Sequence, residues 1–144
     1  MKKTVSEKEL FEVAHEFGKT LIGGDVILLS GNLGVGKTTF TQGVAKALGV
    51  TDDVTSPTFT IMQQYIINDH KTATDLIHID TYRVQEEMDL INIGAQDYIG
   101  NKDMITIIEW PDKLKELIEN AQLKKVEILH TKDPDRRIVK IHCH

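Results

Sequence analysis

The sequence predicts an α/β fold: a single three-layer domain over residues 1–144, built on a mixed β-sheet with antiparallel hairpins at its margins. Three observations predict it. A short apolar run, "DVILLS", passes through a glycine-rich loop into the helical pattern "KTTFTQGVAKALG". Two pairs of strand-like runs flank the polar turns "NDHK" and "KDPD". The length of 144 residues suits one ordinary domain, large enough to bury about 68–70% of its unfolded surface.

In chain order, "SEKELFEVAHEFGKTLI" opens with Ser6 three residues before Glu9, the spacing of a capping box. Leu10, Ala14, Phe17 and Leu21 then recur on one helical face, and Gly23–Gly24 are expected to stop the helix. "DVILLS" reads as a short buried strand, and the helix after the glycine loop ends near Gly49. "TDDVTSP" is a loop. "TFTIMQQYII" and "TATDLIHID" form an expected hairpin. "TYRVQEEMDLINIGAQDYIG" is polar and interrupted by Gly94, so short helices are expected there. "MITIIEW" reads as another buried strand, and "PDKLKELIEN" as a helix with Pro111 in its first turn. "KKVEILHT" and "RRIVKIHCH" close the chain as a hairpin.

Composition narrows the class of protein. Hydrophobic residues make up 40% and charged residues 27%, the balance of a soluble globular chain. No apolar run approaches the roughly 18 residues of a membrane span. "MKKTVSEKEL" carries two lysines but no apolar core after them, so no secretory signal is expected. The single cysteine, Cys143, has no internal disulfide partner, which suits a reducing cytoplasm. A net charge of −5 argues mildly against nucleic acid gripped directly over a broad surface, though not against a local basic patch or a partner that holds it.

The chemistry starts at "GNLGVGKTTF". Gly31-Asn32-Leu33-Gly34-Val35-Gly36-Lys37-Thr38 fits G-x-x-x-x-G-K-[ST] at every fixed position. Glycines there let successive backbone N–H groups turn toward phosphate oxygens, and the following helix adds the positive end of its dipole. Lys37 is placed to reach the β- and γ-phosphates, the Thr38 hydroxyl to ligate Mg²⁺, and Thr39 to bond a further oxygen. An accidental glycine turn is disfavoured by the strand–loop–helix context. The domain is therefore expected to be P-loop NTPase-like. A guanine-reading [NT]-K-x-D motif is missing, since "NKD" and "TKD" lack the intervening residue, and ATP is expected over GTP.

A P-loop enzyme needs a carboxylate at the end of a buried strand. Two stretches qualify, "LIHID" ending at Asp80 and "ITIIEW" carrying Glu109, and spacing does not rank them. Either both work, one for the metal and one to polarise the attacking water, or one of them is a plain strand-end acid meeting solvent. "TSPTFT" holds Ser56 and Thr58 where P-loop proteins keep a nucleotide-sensing segment; a plain strand entry with hydroxyls bonded to nearby backbone fits the spacing equally. Arg83 in "DTYR" suits a phosphate contact or a structural ion pair.

Together, "GNLGVGKTTF", "SPTFT", "HIDTYR" and "IEWP" stand in the order and spacing of the bacterial TsaE family, also called YjeE or YdiB, and the chain resembles it from "SEKEL" to about Lys115. The resemblance implies a small Mg²⁺-dependent ATPase of the cytoplasm. Its role would be formation of N6-threonylcarbamoyladenosine at adenosine 37 of tRNAs reading codons that start with A. It would act with the TsaD and TsaB proteins, touching tRNA only through them. Carried over by position, Gly34, Val35, Gly36, Lys37, Thr38 and Thr39 would wrap the phosphates. Thr38 and Glu109 would be the Mg²⁺-associated pair, Asp80 the Walker B-like acid, and Thr58 a switch contact. Trp110 would pack beside the nucleotide, and Ser6 belongs to a segment that approaches the adenine. Relatives often read "GDLGAGKT"; Asn32 and Val35 depart from that at positions the phosphates do not need.

Other signals carry less. In the terminal "HCH", strand alternation turns Cys143 away from His142 and His144, so a zinc site is not expected even with His130 nearby in sequence. His15, His70 and His78 are isolated, and "KELIENAQLKK" reads as a solvated helical face. Two other classes compete with the ATPase. A small-molecule kinase would need an arginine-rich lid, and this chain has only Arg83, Arg136 and Arg137. A non-hydrolysing nucleotide sensor would have little use for Lys37, Thr38, Asp80 and Glu109 together.

Overall fold

The computed structural model describes residues 1–55 and 60–143 of the chain. In chain order the elements are β1 (Lys2–Val5), α1 (Glu7–Gly18), β2 (Asp25–Ser30), α2 (Lys37–Ala47), β3 (Met62–Ile66), β4 (Asp75–Asp80), α3 (Glu87–Asn92), β5 (Met104–Glu109), β6 (Gln122–His130) and β7 (Arg137–Cys143). The strands make one sheet in the order β1-β7-β6-β2-β5-β4-β3.

Its centre is parallel. β2 lies between β5 and β6 and runs with both, and β4 runs with β5. Strands covered on both faces favour continuous apolar runs, and β2 is apolar and buried from Val26 to Leu29. The margins are antiparallel: β3 on β4, β7 on β6, and β1 on β7. The hairpins expected around "NDHK" and "KDPD" are those two outer pairs.

Alternation along the strands separates two cores. Ile27, Leu29, Ile105 and Ile107 face α1 and α2, where they join Leu10, Ala14, Phe40 and Val44. Val26, Leu28, Ile77 and Ile108 face the other way, onto Val84, Leu90, Ala95 and Leu114. The mixed three-layer arrangement read from the sequence is the one observed.

α1 begins as expected. Ser6 Oγ accepts from the Glu9 N–H at 3.2 Å, and Glu9 Oε1 accepts from the Ser6 N–H at 3.1 Å. The helix ends at Gly18, however, well before Gly23. The Thr20 hydroxyl donates to the Phe17 carbonyl and Leu21 N–H to that of Gly18, so a turn carries Leu21 into the core. Packing of α1 against α2 is tight. A Cβ on Gly18 would sit 2.7 Å from Ala47 Cβ, and one on Gly43 only 2.6 Å from the Phe11 carbonyl oxygen.

Two further differences stand out. "PDKLKELIEN" is not an α-helix: a 3-10 turn covers Pro111–Lys113, and Leu114 is already extended at φ −95°, ψ 136°. The reason lies in α3. Glu87 accepts from the backbone N–H groups of Lys115 (2.7 Å), Glu116 (3.2 Å) and Leu117 (3.0 Å), a bonding pattern that turns this backbone toward a side chain. Leu114 is buried in the second core beside the half-buried Leu117 and Ile118. The strand β1 had no expectation attached, because four residues with only Val5 buried leave almost no pattern to read.

Two outcomes follow from this packing. Gly43→Ala, which would stabilise an exposed helix by about 1 kcal/mol, is expected here to destabilise by about 1–3 kcal/mol through overpacking, measured as a lower denaturant midpoint. Partial burial works against ionisation of Glu87, but the three N–H donors outweigh it and hold its pKa below the usual 4.5. A carboxylate so depressed contributes its full stabilisation above 4.5 and loses it as pH falls through the folded-state value. Hydrogen-exchange protection of the 115–117 amides is therefore expected to drop on acidification in the native chain. In Glu87→Gln it should be low at every pH.

Candidate functional site

Because β2, β4 and β5 are parallel, all three end at the same edge of the sheet. Leu29 of β2 is level with Glu109 of β5, and Glu109 is level with Asp80 of β4. One residue beyond Ser30, β2 releases the Gly31–Thr38 loop over this edge. The loop bends through Gly34 at φ +72° and Gly36 at φ +117°, conformations costly for other residues. No atom lies within 4 Å of where a Gly34 Cβ would be, so this backbone faces open space. Gly36 is the N-cap of α2 and supplies no side-chain cap. The first-turn N–H groups of an 11-residue helix therefore await an acceptor from outside.

Across a cavity of about 360 Å³ the loop meets the two acids. Gly34, Gly36, Lys37, Thr38 and Thr39 line one side, and Asp80, Glu109 and Trp110 the other. Lys37 Nζ donates to the Gly31 carbonyl at 2.8 Å and lies 3.5 Å from the centre of the Trp110 ring. Burial pulls the Lys37 pKa below its usual 10.5, while the charges of Glu109 and Asp80 work to raise it. The site thus holds a partly desolvated cation beside two carboxylates.

The acids differ in setting. Glu109 is buried at 3% exposure, and His78 Nε2 stands 3.3 Å from its Oε2 without the alignment of a hydrogen bond. Asp80 is half-buried, and its Oδ1 accepts from the Tyr82 N–H at 2.9 Å. The segments beyond the two strands are joined. The Thr81 hydroxyl donates to the Glu109 carbonyl at 2.8 Å and also contacts that of Trp110. Trp110 takes the left-handed conformation at φ 58°, its N–H donates to the Leu29 carbonyl at 3.3 Å, and its ring packs 5.1 Å from that of Tyr82. Lys113 Nζ donates to the Val84 carbonyl farther along.

Of the residues expected at the site, the structure brings together Gly34, Gly36, Lys37, Thr38, Thr39, Asp80, Glu109 and Trp110. Val35 and Ser6 lie instead along an adjoining cavity of about 500 Å³, which shares Gly34 and Gly36 with the first. There Ser6 Oγ serves the helix cap of α1. Thr58 and Ser56 lie outside the described residues. Arg83 is exposed in the turn between β4 and α3. Sequence reasoning missed Glu7, whose carboxylate accepts from the Thr39 hydroxyl at 3.3 Å, and Thr81, His78 and Arg137. His78 and Thr81 lie inside "HIDTYR" without a chemical role of their own to read from it, and each of the four matters through a neighbour that only folding supplies.

Among the described residues no set of three or more His, Cys, Asp or Glu side chains could hold a metal by itself. The donors present, one hydroxyl at Thr38 and the carboxylates of Asp80 and Glu109, suit a Mg²⁺ ion that takes its remaining oxygens from a phosphate ligand and water.

A parallel strand, a glycine loop and an uncapped helix start, with two acids on neighbouring parallel strands, define a P-loop α/β protein. The family described as "Threonylcarbamoyl adenosine biosynthesis protein TsaE" matches residues 4–138, and the chain belongs to that family. The protein named "tRNA threonylcarbamoyladenosine biosynthesis protein TsaE" of Bacillus subtilis is 36% identical over 136 residues, covering 94% of this chain and 81% of that protein. The protein of the same name from Aquifex aeolicus is 37% identical over 139 residues, covering 95% and 91%. The crystal structure of the Bacillus subtilis protein YdiB superposes with a TM-score of 0.77 at 30% identity, over 100% of this chain and 86% of that one.

Trp110 is the chain's single tryptophan and lies against Lys37. An anion entering the loop competes for the ammonium, so titration with ADP or inorganic triphosphate is expected to change tryptophan emission saturably. Lys37→Met should abolish the change.

Proposed function

We propose that this chain binds ATP with Mg²⁺ and hydrolyses it, as the ATPase subunit that supports threonylcarbamoylation of adenosine 37 in tRNA together with the TsaD and TsaB proteins in the cytoplasm. The observation that carries the proposal is the confrontation, across one cavity, of Lys37 and the uncapped start of α2 with Asp80 and Glu109. Membership of the TsaE family supports the tRNA-modifying context.

In this reading the N–H groups of Gly34 and of Gly36 to Thr39 receive the phosphates, and Lys37 exchanges the Gly31 carbonyl for phosphate oxygens. Moving this cation to the β- and γ-phosphates offsets charge that develops as the terminal phosphoryl group leaves. Thr38 with Asp80 or Glu109 would hold Mg²⁺, which when bound supplies Lewis-acid neutralisation of the phosphate oxygens. The acid not engaged with the metal accepts a hydrogen bond from the attacking water and orients it. Glu109 is better suited to that task, because its burial against His78 limits competing solvent. Trp110, clamped by Thr81 and Tyr82, roofs the site and keeps bulk water from Lys37.

The test is Mg²⁺-dependent phosphate release from ATP by the purified chain, alone and with the TsaB–TsaD pair. Slow release alone, stimulation by the pair, and loss of about 100-fold in Glu109→Gln with ATP still bound are expected. Lys37→Ala should lose binding as well. Bound ATP with no release under either condition would sink the hydrolytic reading and favour a nucleotide sensor.

A further inference from the structure

Arg137 opens β7, level with Val5 of β1 and His130 of β6, so two strand ladders fix its backbone. From there its side chain crosses to the phosphate loop. Arg137 Nε donates to the Val35 carbonyl at 2.9 Å, and Nη1 donates to the carbonyls of Pro134 (2.8 Å) and Arg136 (2.9 Å). The guanidinium is thus a rigid brace between the β6–β7 turn and one peptide of the loop.

That peptide matters. In a trans peptide the C=O of one residue and the N–H of the next point in opposite directions. A Val35 carbonyl pulled toward Arg137 therefore aims the Gly36 N–H away from Arg137. Two neighbouring facts make this bond decisive. The Val35 N–H is already bonded to the Asn32 carbonyl at 3.2 Å, so the next donor in line belongs to Gly36. The peptide lies between Val35 and Gly36, and glycine tolerates either sign of φ, so on the Gly36 side the chain resists a peptide flip only weakly. The Val35 side chain is buried at 1% exposure, which anchors its Cα while the direction of its carbonyl is held by Arg137.

We infer that Arg137 is a positioning residue for the phosphate loop, holding the Val35–Gly36 peptide in the orientation that presents the Gly36 N–H to a bound phosphate. This rests on the reading of the loop as a nucleotide site given above. Arg136 provides an internal control. It extends from the same turn, but its Nη1 bonds Glu9 Oε1 at 3.0 Å, on the α1 cap and not on the loop.

ADP binding by calorimetry, with Mg²⁺ present, separates the possibilities in the native chain, Arg137→Ala, Arg137→Lys and Arg136→Ala. Arg137→Ala is expected to weaken ADP by about ten-fold, the scale of a lost charge-assisted hydrogen bond. KM for ATP should rise in parallel, with kcat at saturation within about three-fold, since binding in ground and transition states falls together. Arg137→Lys should recover part of the affinity, and Arg136→Ala should stay within about two-fold of the native chain. In ¹⁵N spectra the ADP-induced shift of the Gly36 amide should be lost in Arg137→Ala and kept in Arg136→Ala, a readout that general loosening of the hairpin would not separate. Should Arg137→Ala fail to fold, Arg137→Gln, which keeps the stem, carries the same expectation. Equal affinity in the Arg137 variants and the native chain, or equal losses in the Arg136 and Arg137 variants, would overturn the inference. A native chain that binds no ADP would instead overturn the nucleotide reading on which it rests.

Discussion

One register underlies the site: Leu29 beside Glu109, and Glu109 beside Asp80, on three parallel strands. Parallel pairing puts the carboxyl ends of all three at one edge of the sheet, where open α/β sheets bind ligands. The glycine loop leaves β2 there, and both acids arrive there on their own strands. A slip of one residue in β4 or β5 would turn its acid to the opposite face and place an isoleucine, Ile79 or Ile108, beside the loop. The apolar faces that fill the two cores hold that register, so core packing and site geometry are one requirement.

Around this edge the chain gathers contacts that no single segment explains. The segments after β4 and β5 are tied through Thr81, through the Tyr82–Trp110 ring pair, and through Glu87 and the backbone at 115–117. On the far side, α1 approaches the loop closely enough that a Cβ on Gly36 would meet Leu10 Cδ2 at 2.7 Å. The β6–β7 turn adds Arg136 and Arg137. Loop, helix cap and hairpin therefore brace one another. Burial of Lys37 is tolerable within this frame because a carbonyl, an aromatic face and two carboxylates surround the cation.

Legibility from sequence followed locality. The buried run 25–30, the capping box at Ser6 and Glu9, and the hairpin turns are written in consecutive residues, and the structure has them where expected. The stretch 111–120 carried a helical pattern that the fold overrules, since Glu87, some thirty residues earlier in the chain, binds its backbone donors. α1 also stops early, at a turn closed by the Thr20 hydroxyl on the Phe17 carbonyl and the Leu21 N–H on that of Gly18. Propensity is a weak prior, and tertiary partners outweigh it where they offer better bonds.

By itself the sequence determined the glycine loop with its G-x-x-x-x-G-K-[ST] spacing, the identity of the two strand-end acids, the mixed α/β class and the resemblance to the TsaE family. Each of these rests on residues adjacent in the chain, or on short motifs in a set order. Only the tertiary structure decided that Asp80 and Glu109 lie level across one cavity from Lys37. It alone set the Trp110 ring over that lysine and brought Arg137 to the carbonyl of Val35. The physical reason is distance along the chain. Val35 and Arg137 are 102 positions apart, and no local pattern encodes a hydrogen bond whose partners meet only after the sheet has closed between them.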